Sequence, residues 1–388
     1  MVEQVEQNEN TKKGAKRNFI MICLAYVCSY TSLNAVISLQ SSINTDANIG
    51  LYSLAIMYGS SLITSLFFTT PIGYIFGYKW SIVSGQFGAM IYVASNMYPK
   101  QWLMFSTAVI CGIFRACMFM AQEAYVSILA GGGSEDDDND DDNDTKNRKY
   151  FSIFFSAYQS AEIWGNLISY IVLRNVPTTA ETNLEQCGAN FLEKEHEDQQ
   201  ENGHISSTIT YILFSIFAGV IMISVILVIF FLNQKRDIKM KRKYSRPACF
   251  VIAALLSYTV FIVMLIWKPA SSQIYVLFIL PCLSSISTGI TEPFITAMYN
   301  SVFPGKKDTA FSLLTFAQTA SCLSLLLYAS VLRVRIQIIL QLIFLTLAML
   351  SYIIISIKQY RSSNNNNDEQ QISVLNDLVM IPSISERI

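Results

Sequence analysis

Four ionisable residues stand in long stretches that otherwise carry no charge: Arg115, Glu123, Glu162 and Glu292. An unpaired charge at the centre of a bilayer costs about 2.5–3.5 kcal/mol on insertion scales, so each needs a partner or a wet cavity. Arg115 lies near the middle of the apolar stretch 102–129, and Glu162 near the middle of 150–173. If these neighbouring stretches pack antiparallel, the two side chains meet at similar depth and could form an ion pair. Glu123 follows Arg115 by a little over two helical turns. Glu292 directly precedes Pro293 in a stretch that also holds Pro281 and Gly289, and broken helices often line binding sites in carriers. Two readings stay open: a proton- or solute-coupling site, or a structural pair plus carboxyls that are neutral or face water.

Other chemistry finds no support. Gly305-Lys306 lacks the preceding loop with its Gly and the following Ser or Thr of a phosphate-binding loop. The eight acidic residues between Glu135 and Asp144 lack calcium-loop spacing. His196 and His204 have no ordered Cys or carboxylate neighbours, so no metal site is expected. No nucleophile–base pattern is present. The expectation is therefore no catalytic residue, no metal, no cofactor and no nucleic-acid partner.

The elements that position the four charges are set by hydropathy. Apolar residues make up 52% of the chain and charged ones 14%, well below the one-quarter or so of a soluble domain. About 20 apolar residues cross roughly 30 Å of hydrocarbon. Inside that layer the backbone must satisfy its own hydrogen bonds, so each crossing stretch is a helix. Ten spans follow, near 19–41, 50–76, 80–98, 102–129, 150–173, 206–232, 248–267, 274–303, 309–332 and 336–357. The stretches 50–76 and 274–303 exceed what a bilayer needs, which predicts a tilt or kink in each.

With ten spans both ends lie on one side. That side carries 20 of the 27 Lys and Arg, and the other carries 6, with Arg115 inside a span. The positive-inside rule then puts both termini in the cytosol. The polar first 18 residues lead straight into a full-length span, so a retained first helix is expected rather than a cleaved leader. Seven of eight cysteines fall in spans, and Cys187 stands without a partner in its loop, so a disulfide framework is not expected.

The domain reading is a cytosolic tail over 1–18, a six-helix membrane half over 19–232 and a basic cytosolic linker over 233–247. A four-helix membrane part follows over 248–357, then a disordered tail over 358–388. Within the first half, 131–149 is an acidic cytosolic loop expected to be disordered by self-repulsion, and 174–205 an exoplasmic loop. The linker has seven basic residues against Asp237, suited to anionic lipid at about 1 kcal/mol per near-surface charge or to ordinary topogenic use. Asn143-Asp144-Thr145 is an N-glycosylation acceptor pattern that this topology leaves unmodified.

Particular strings then carry a resemblance. Leu39-Gln40-Ser41-Ser42-Ile43-Asn44 precedes Gly50-Leu51-Tyr52-Ser53, with Tyr58-Gly59 a little further on. Gly77-Tyr78-Lys79-Trp80 follows, then Tyr92, Asn96-Met97-Tyr98-Pro99, Ala121-Gln122-Glu123-Ala124-Tyr125, Gln159 and Trp164-Gly165-Asn166. The series resembles the uncoordinated-93 (Unc-93-like) family of the major facilitator superfamily over nearly all of 18–173. It continues more sparsely at Trp267-Lys268-Pro269, Tyr299, Phe303-Pro304, Ala310-Phe311-Ser312 and Gln318. The resemblance implies an all-α, major-facilitator-like bundle of twelve helices in two halves. Here Trp267-Lys268-Pro269 ends what looks like the family's ninth helix, yet that helix directly follows the sixth. The seventh and eighth are then absent, and Gly73–Lys79 lacks the Asp and Arg of the facilitator loop motif.

By the same resemblance, the chain is expected to be a non-catalytic regulatory or trafficking subunit of an ion channel, a potassium channel in particular, or of a receptor. Its partners would be that membrane protein and membrane lipid, in the plasma membrane in preference to an endomembrane. Family-motif positions expected to matter are Gln40, Tyr58, Gly59, Lys79, Trp80, Gln122, Gln159, Trp164, Gly165 and Asn166. The competing expectation is a secondary transporter of a small solute, coupled to protons through its buried carboxyls.

Overall fold

The computed structural model describes residues 2–43, 48–131, 140–174, 207–233, 248–267, 276–302, 307–329 and 331–354. Among them are ten α-helices: α1 Val2–Ile43, α2 Ile49–Phe67, α3 Thr69–Ser95, α4 Gln101–Gly131 and α5 Asp140–Leu173, followed by α6 Ser207–Phe231, α7 Ala248–Ile266, α8 Val276–Val302, α9 Lys307–Ala329 and α10 Val334–Ile354. The protein is an all-helical, polytopic membrane bundle. Six helices contain a segment long and apolar enough to cross a bilayer, namely Gly14–Gln40, Ile49–Phe67, Gln101–Ala130, Thr208–Phe231, Asp308–Tyr328 and Val334–Ile354. Large apolar side chains such as Ile63, Phe230, Leu255 and Leu327 are exposed, as befits a surface solvated by acyl chains rather than water.

Two buried clusters show how the first six helices run. One gathers Phe19, Tyr78, Leu129, Phe151 and Leu232; the other gathers Val36, Tyr92, Met104 and Phe214. The first residue of each pair on α1 and α3 lies in the first cluster and the second residue in the other. On α4, and from α6 to the residue just past it, the order is reversed. Successive crossings therefore alternate in direction, as serial insertion requires. Helices from both sides of the basic linker share this interior: α8 packs on α5, and α9 packs on α2 and α4. The main neighbour of α7 is α8, joined through Ser257 Oγ and Ser287 Oγ at 2.6 Å and through Ser287 Oγ donating to the Ala253 carbonyl at 2.7 Å. By contacts, 1–334 form one compact unit and 335–388 a second, in which α10 is an apolar helix that exposes Ile336, Ile343, Phe344, Leu347 and Ile354 among others.

Three expectations need revision. The stretch 50–76 is not one span: α2 ends at Phe67, and α3 opens at Thr69 with Pro71 in its first turn, where the missing N–H costs nothing. Hydropathy missed this break because Phe67–Thr70 carries no charge. α3 then bends at Gly77, whose φ of 72° and ψ of 164° fall in a region open essentially to glycine alone. The acidic run is not loop throughout, since residues 140–149 form the opening turns of α5, where aspartates suit the positive end of a helix. The polar start of the chain is likewise helical from Val2, continuous with α1.

Helix α8 continues through Pro281 and Pro293 without a non-helical residue, although each proline deprives the preceding turn of one donor. Residues 132–139, Cys187, His196, His204, the basic segment 234–247, Lys268-Pro269, Phe303-Pro304 and the tail from 355 lie outside the described residues.

Candidate functional site

The polar groups of the interior gather in three layers. In the layer near the end of α1, Gln40 is 1% exposed, and its Nε2 donates to Tyr92 Oη at 3.1 Å and to Asn96 Oδ1 at 2.7 Å. Ser53 Oγ meets the same Tyr92 hydroxyl at 2.9 Å, and Asn96 Nδ2 donates to the Tyr92 carbonyl at 2.8 Å. One amide thus ties α1 to α3, and Ser53 adds α2. Tyr92 and Asn96 are four residues apart, the spacing that puts both on one face of α3. They belong to the family-like strings, yet sequence reasoning gave them no role. The i, i+4 spacing of two polar side chains in an apolar helix was the available signal.

The middle layer holds the ionisable residues. Arg115 lies over two rings, its guanidinium carbon 4.8 Å from the Tyr58 centroid and 4.6 Å from that of Phe119. The ion pair with Glu162 does not form among the described residues. Glu162 is exposed on α5, and Arg115 Nε has no hydrogen-bond partner there. Sequence could not give the rotation of either helix about its axis. Glu123 is 1% exposed, with neither carboxyl oxygen hydrogen-bonded among the described residues, and Glu292 Oε2 is likewise unpartnered. Glu123 lies within electrostatic reach of Glu292, and Glu292 of Glu162, so three carboxyls form a chain across α4, α8 and α5. Tyr158 stands between this chain and Arg115, within reach of Glu292, Glu162 and the guanidinium. Such a chain of carboxyls beside one cation could hold a proton, a cation or a charged solute.

The third layer lies at the opposite end from Gln40, and the Gly77 bend positions it. Tyr78 Oη donates to Asp308 Oδ1 at 2.8 Å, in the first turn of α9. Lys79 Nζ donates to the Ile229 carbonyl at 2.8 Å, among the last carbonyls of α6, which have no intrahelical donor. Tyr125 Oη donates to the Asn233 carbonyl at 2.7 Å. Thr69 Oγ1 donates to Ser312 Oγ at 2.7 Å, giving Ser312 a role in the docking of α9 on α3.

The remaining family-motif positions divide into packing and exposed ones. Gly165 lies against α1 so closely that a Cβ there would meet the Thr31 carbonyl oxygen at 2.5 Å. Gln122 is buried with Oε1 unpartnered among the described residues, and Gln159 is half-buried near Gly289. Trp80, Trp164 and Asn166 are exposed, and Gly59 faces open space. Gln86 was missed by sequence reasoning, although both its amide atoms are buried without a partner among the described residues.

Residues 41–266, more than half of the chain, match the sequence profile described as "Ion channel regulatory protein UNC-93". The chain belongs to the UNC-93 family. Among UNC-93 relatives, "Protein unc-93 homolog A" of Bos taurus is 24% identical over 317 residues, 81% of this chain and 67% of the relative. "Putative potassium channel regulatory protein unc-93" of Caenorhabditis elegans is 23% identical over 319 residues, 77% of this chain and 41% of the relative. "Protein unc-93 homolog A" of Danio rerio is 22% identical over 430 residues, 89% of this chain and 92% of the relative. The chain thus spans about two thirds of the bovine relative and about two fifths of the nematode one. The zebrafish match runs longer than the 388 residues of this chain, so it crosses stretches of the relative that this chain does not contain. Of the family-motif positions, all but Gln40 fall inside the matched profile.

Proposed function

We propose that this UNC-93 family member is a non-catalytic regulatory or trafficking subunit that binds an ion channel, a potassium channel in particular, within the membrane. The observation that carries the reading is the profile match over 41–266, a family described as ion channel regulatory, together with the nematode relative's name. The geometry is compatible with it: the polar layers hold the helices to one another, and apolar surface remains for a membrane partner. A receptor is the other partner class. The plasma membrane is the proposed location, with both termini and the basic segment 234–247 on the cytosolic face beside anionic lipid. The absence of two helices between α6 and α7 belongs to the same proposal. The length of the zebrafish match and the limited packing of α7 support it.

Copurification tests the reading. The tagged protein is captured from its own cells in mild detergent, and bound proteins are quantified. A channel recovered in near-equal amount, whose current or surface level changes when the protein is removed, is the expected result. Folded protein recovered alone overturns it.

The unpartnered carboxyls favour a second reading, a proton-coupled carrier of a small solute. Replacing Glu123, Glu162 and Glu292 with Gln separates the two. A carrier loses pH-dependent uptake, whereas a regulatory subunit keeps its partner's surface level.

A further inference from the structure

The floor between α2, α4 and α9 contains a cavity of about 30 Å³ lined by Tyr58, Arg115, Phe119, Thr315, Gln318, Thr319 and Cys322. One water needs about 10–15 Å³ measured in this way, so there is space for a monatomic ion or the head of a carboxylate. Two buried donors on its wall have no hydrogen-bond partner among the described residues: Arg115 Nε from α4 and Thr315 Oγ1 from α9. They come from different helices, and both residues line the same void. The rings of Tyr58 and Phe119 lie 4.8 and 4.6 Å from the guanidinium carbon, and a ring face offers Nε–H no hydrogen-bond acceptor of ordinary strength. No carboxylate is among the groups acting on the guanidinium, which are Tyr58, Tyr30, Cys322 and Tyr158. A half-buried cation with a spare Nε–H, a spare buried hydroxyl and the neighbouring Gln318 amide is suited to bind negative charge.

We propose that this pocket binds a small anion, either a halide or the carboxylate group of a small molecule, with Arg115 as its counter-charge and Thr315 and Gln318 as hydrogen-bond donors. The site is independent of the channel-regulating reading. An anion there joins α9 to α2 and α4, so binding tightens the attachment of the second part of the chain to the first.

The test uses the purified full-length protein in detergent at fixed pH, sodium concentration and ionic strength, with gluconate exchanged for chloride or for acetate. The expected result is a saturable rise in melting temperature with chloride, with acetate or with both. A response to chloride alone assigns a halide site, and a response to acetate assigns a carboxylate site. Arg115→Gln should abolish the response. Thr315→Val is close to it in shape and leaves no unpaired hydroxyl, so it should fold while weakening the apparent affinity by about tenfold. A melting temperature indifferent to anion identity, meaning that water alone fills the pocket, overturns the proposal. An unchanged affinity in Thr315→Val also overturns it, whether or not Arg115→Gln folds.

Discussion

Gln40 carries two side-chain hydrogen bonds in an apolar interior, and neither acceptor has water to turn to once it is removed. Gln40→Leu should therefore destabilise the protein by about 1–3 kcal/mol, the cost of leaving buried polar groups unmatched. Thermal unfolding of the detergent-solubilised protein measures it, and a melting temperature equal to wild type would show that the network contributes nothing. Glu123 presents the opposite case, because it is equally buried but has no hydrogen bond among the described residues. Glu123→Gln removes a charge without breaking a bond, so the melting temperature should hold or rise. A fall of several degrees would reveal a partner for that carboxylate. The contrast marks Gln40 as structural and leaves Glu123 as the more informative probe of function.

At the scale of the helix, two glycines set geometry that no larger residue permits. Gly165 brings α5 onto α1, where ring pairs such as Tyr30–Tyr158, with centroids 4.6 Å apart, fill the seam on either side. Gly165→Leu forces the helices apart and should cost about 1–3 kcal/mol or more as overpacking, read as lower yield of monodisperse protein and a lower melting temperature. Gly77→Ala places a Cβ in a backbone conformation that only glycine adopts readily, at about 1–3 kcal/mol. Its effect should concentrate at one end of the bundle, because Tyr78 and Lys79 then lose their aim at Asp308 and Ile229. Cysteine-reactive probes placed near Asp308 should label faster in Gly77→Ala than in wild type. Equal labelling would mean that the bend is not needed for this contact.

For the whole molecule, the alternation of the two buried clusters across α1 to α6 agrees with serial crossings, and the Lys and Arg count assigns their sidedness. An epitope tag at either end should be reached by antibody only after the cells are permeabilised. Staining of an intact cell at one terminus would overturn an even number of crossings. The contribution of α8 and α9 to the interior bears on partner binding too. Helices from both sides of the basic segment pack together, so a chain cut there should assemble only if both pieces are coexpressed.

Hydropathy and charge by themselves determined the fold class, an all-helical membrane bundle. Crossing hydrocarbon demands a helix of a given length, and Lys and Arg resist translocation. The strings from Gln40 to Asn166 were enough to place the chain in its family. Sequence also marked Arg115, Glu123, Glu162 and Glu292 as costly, because charge in an apolar run is visible one residue at a time. Tertiary structure decided what those charges meet. A rotation of about 100° per residue decides which neighbour a side chain meets, and it brought Glu162 within reach of Glu292 while Arg115 went beside Tyr58 and Phe119. The cavity shared by Arg115 and Thr315 arises from contact between helices far apart in sequence, which no local pattern encodes.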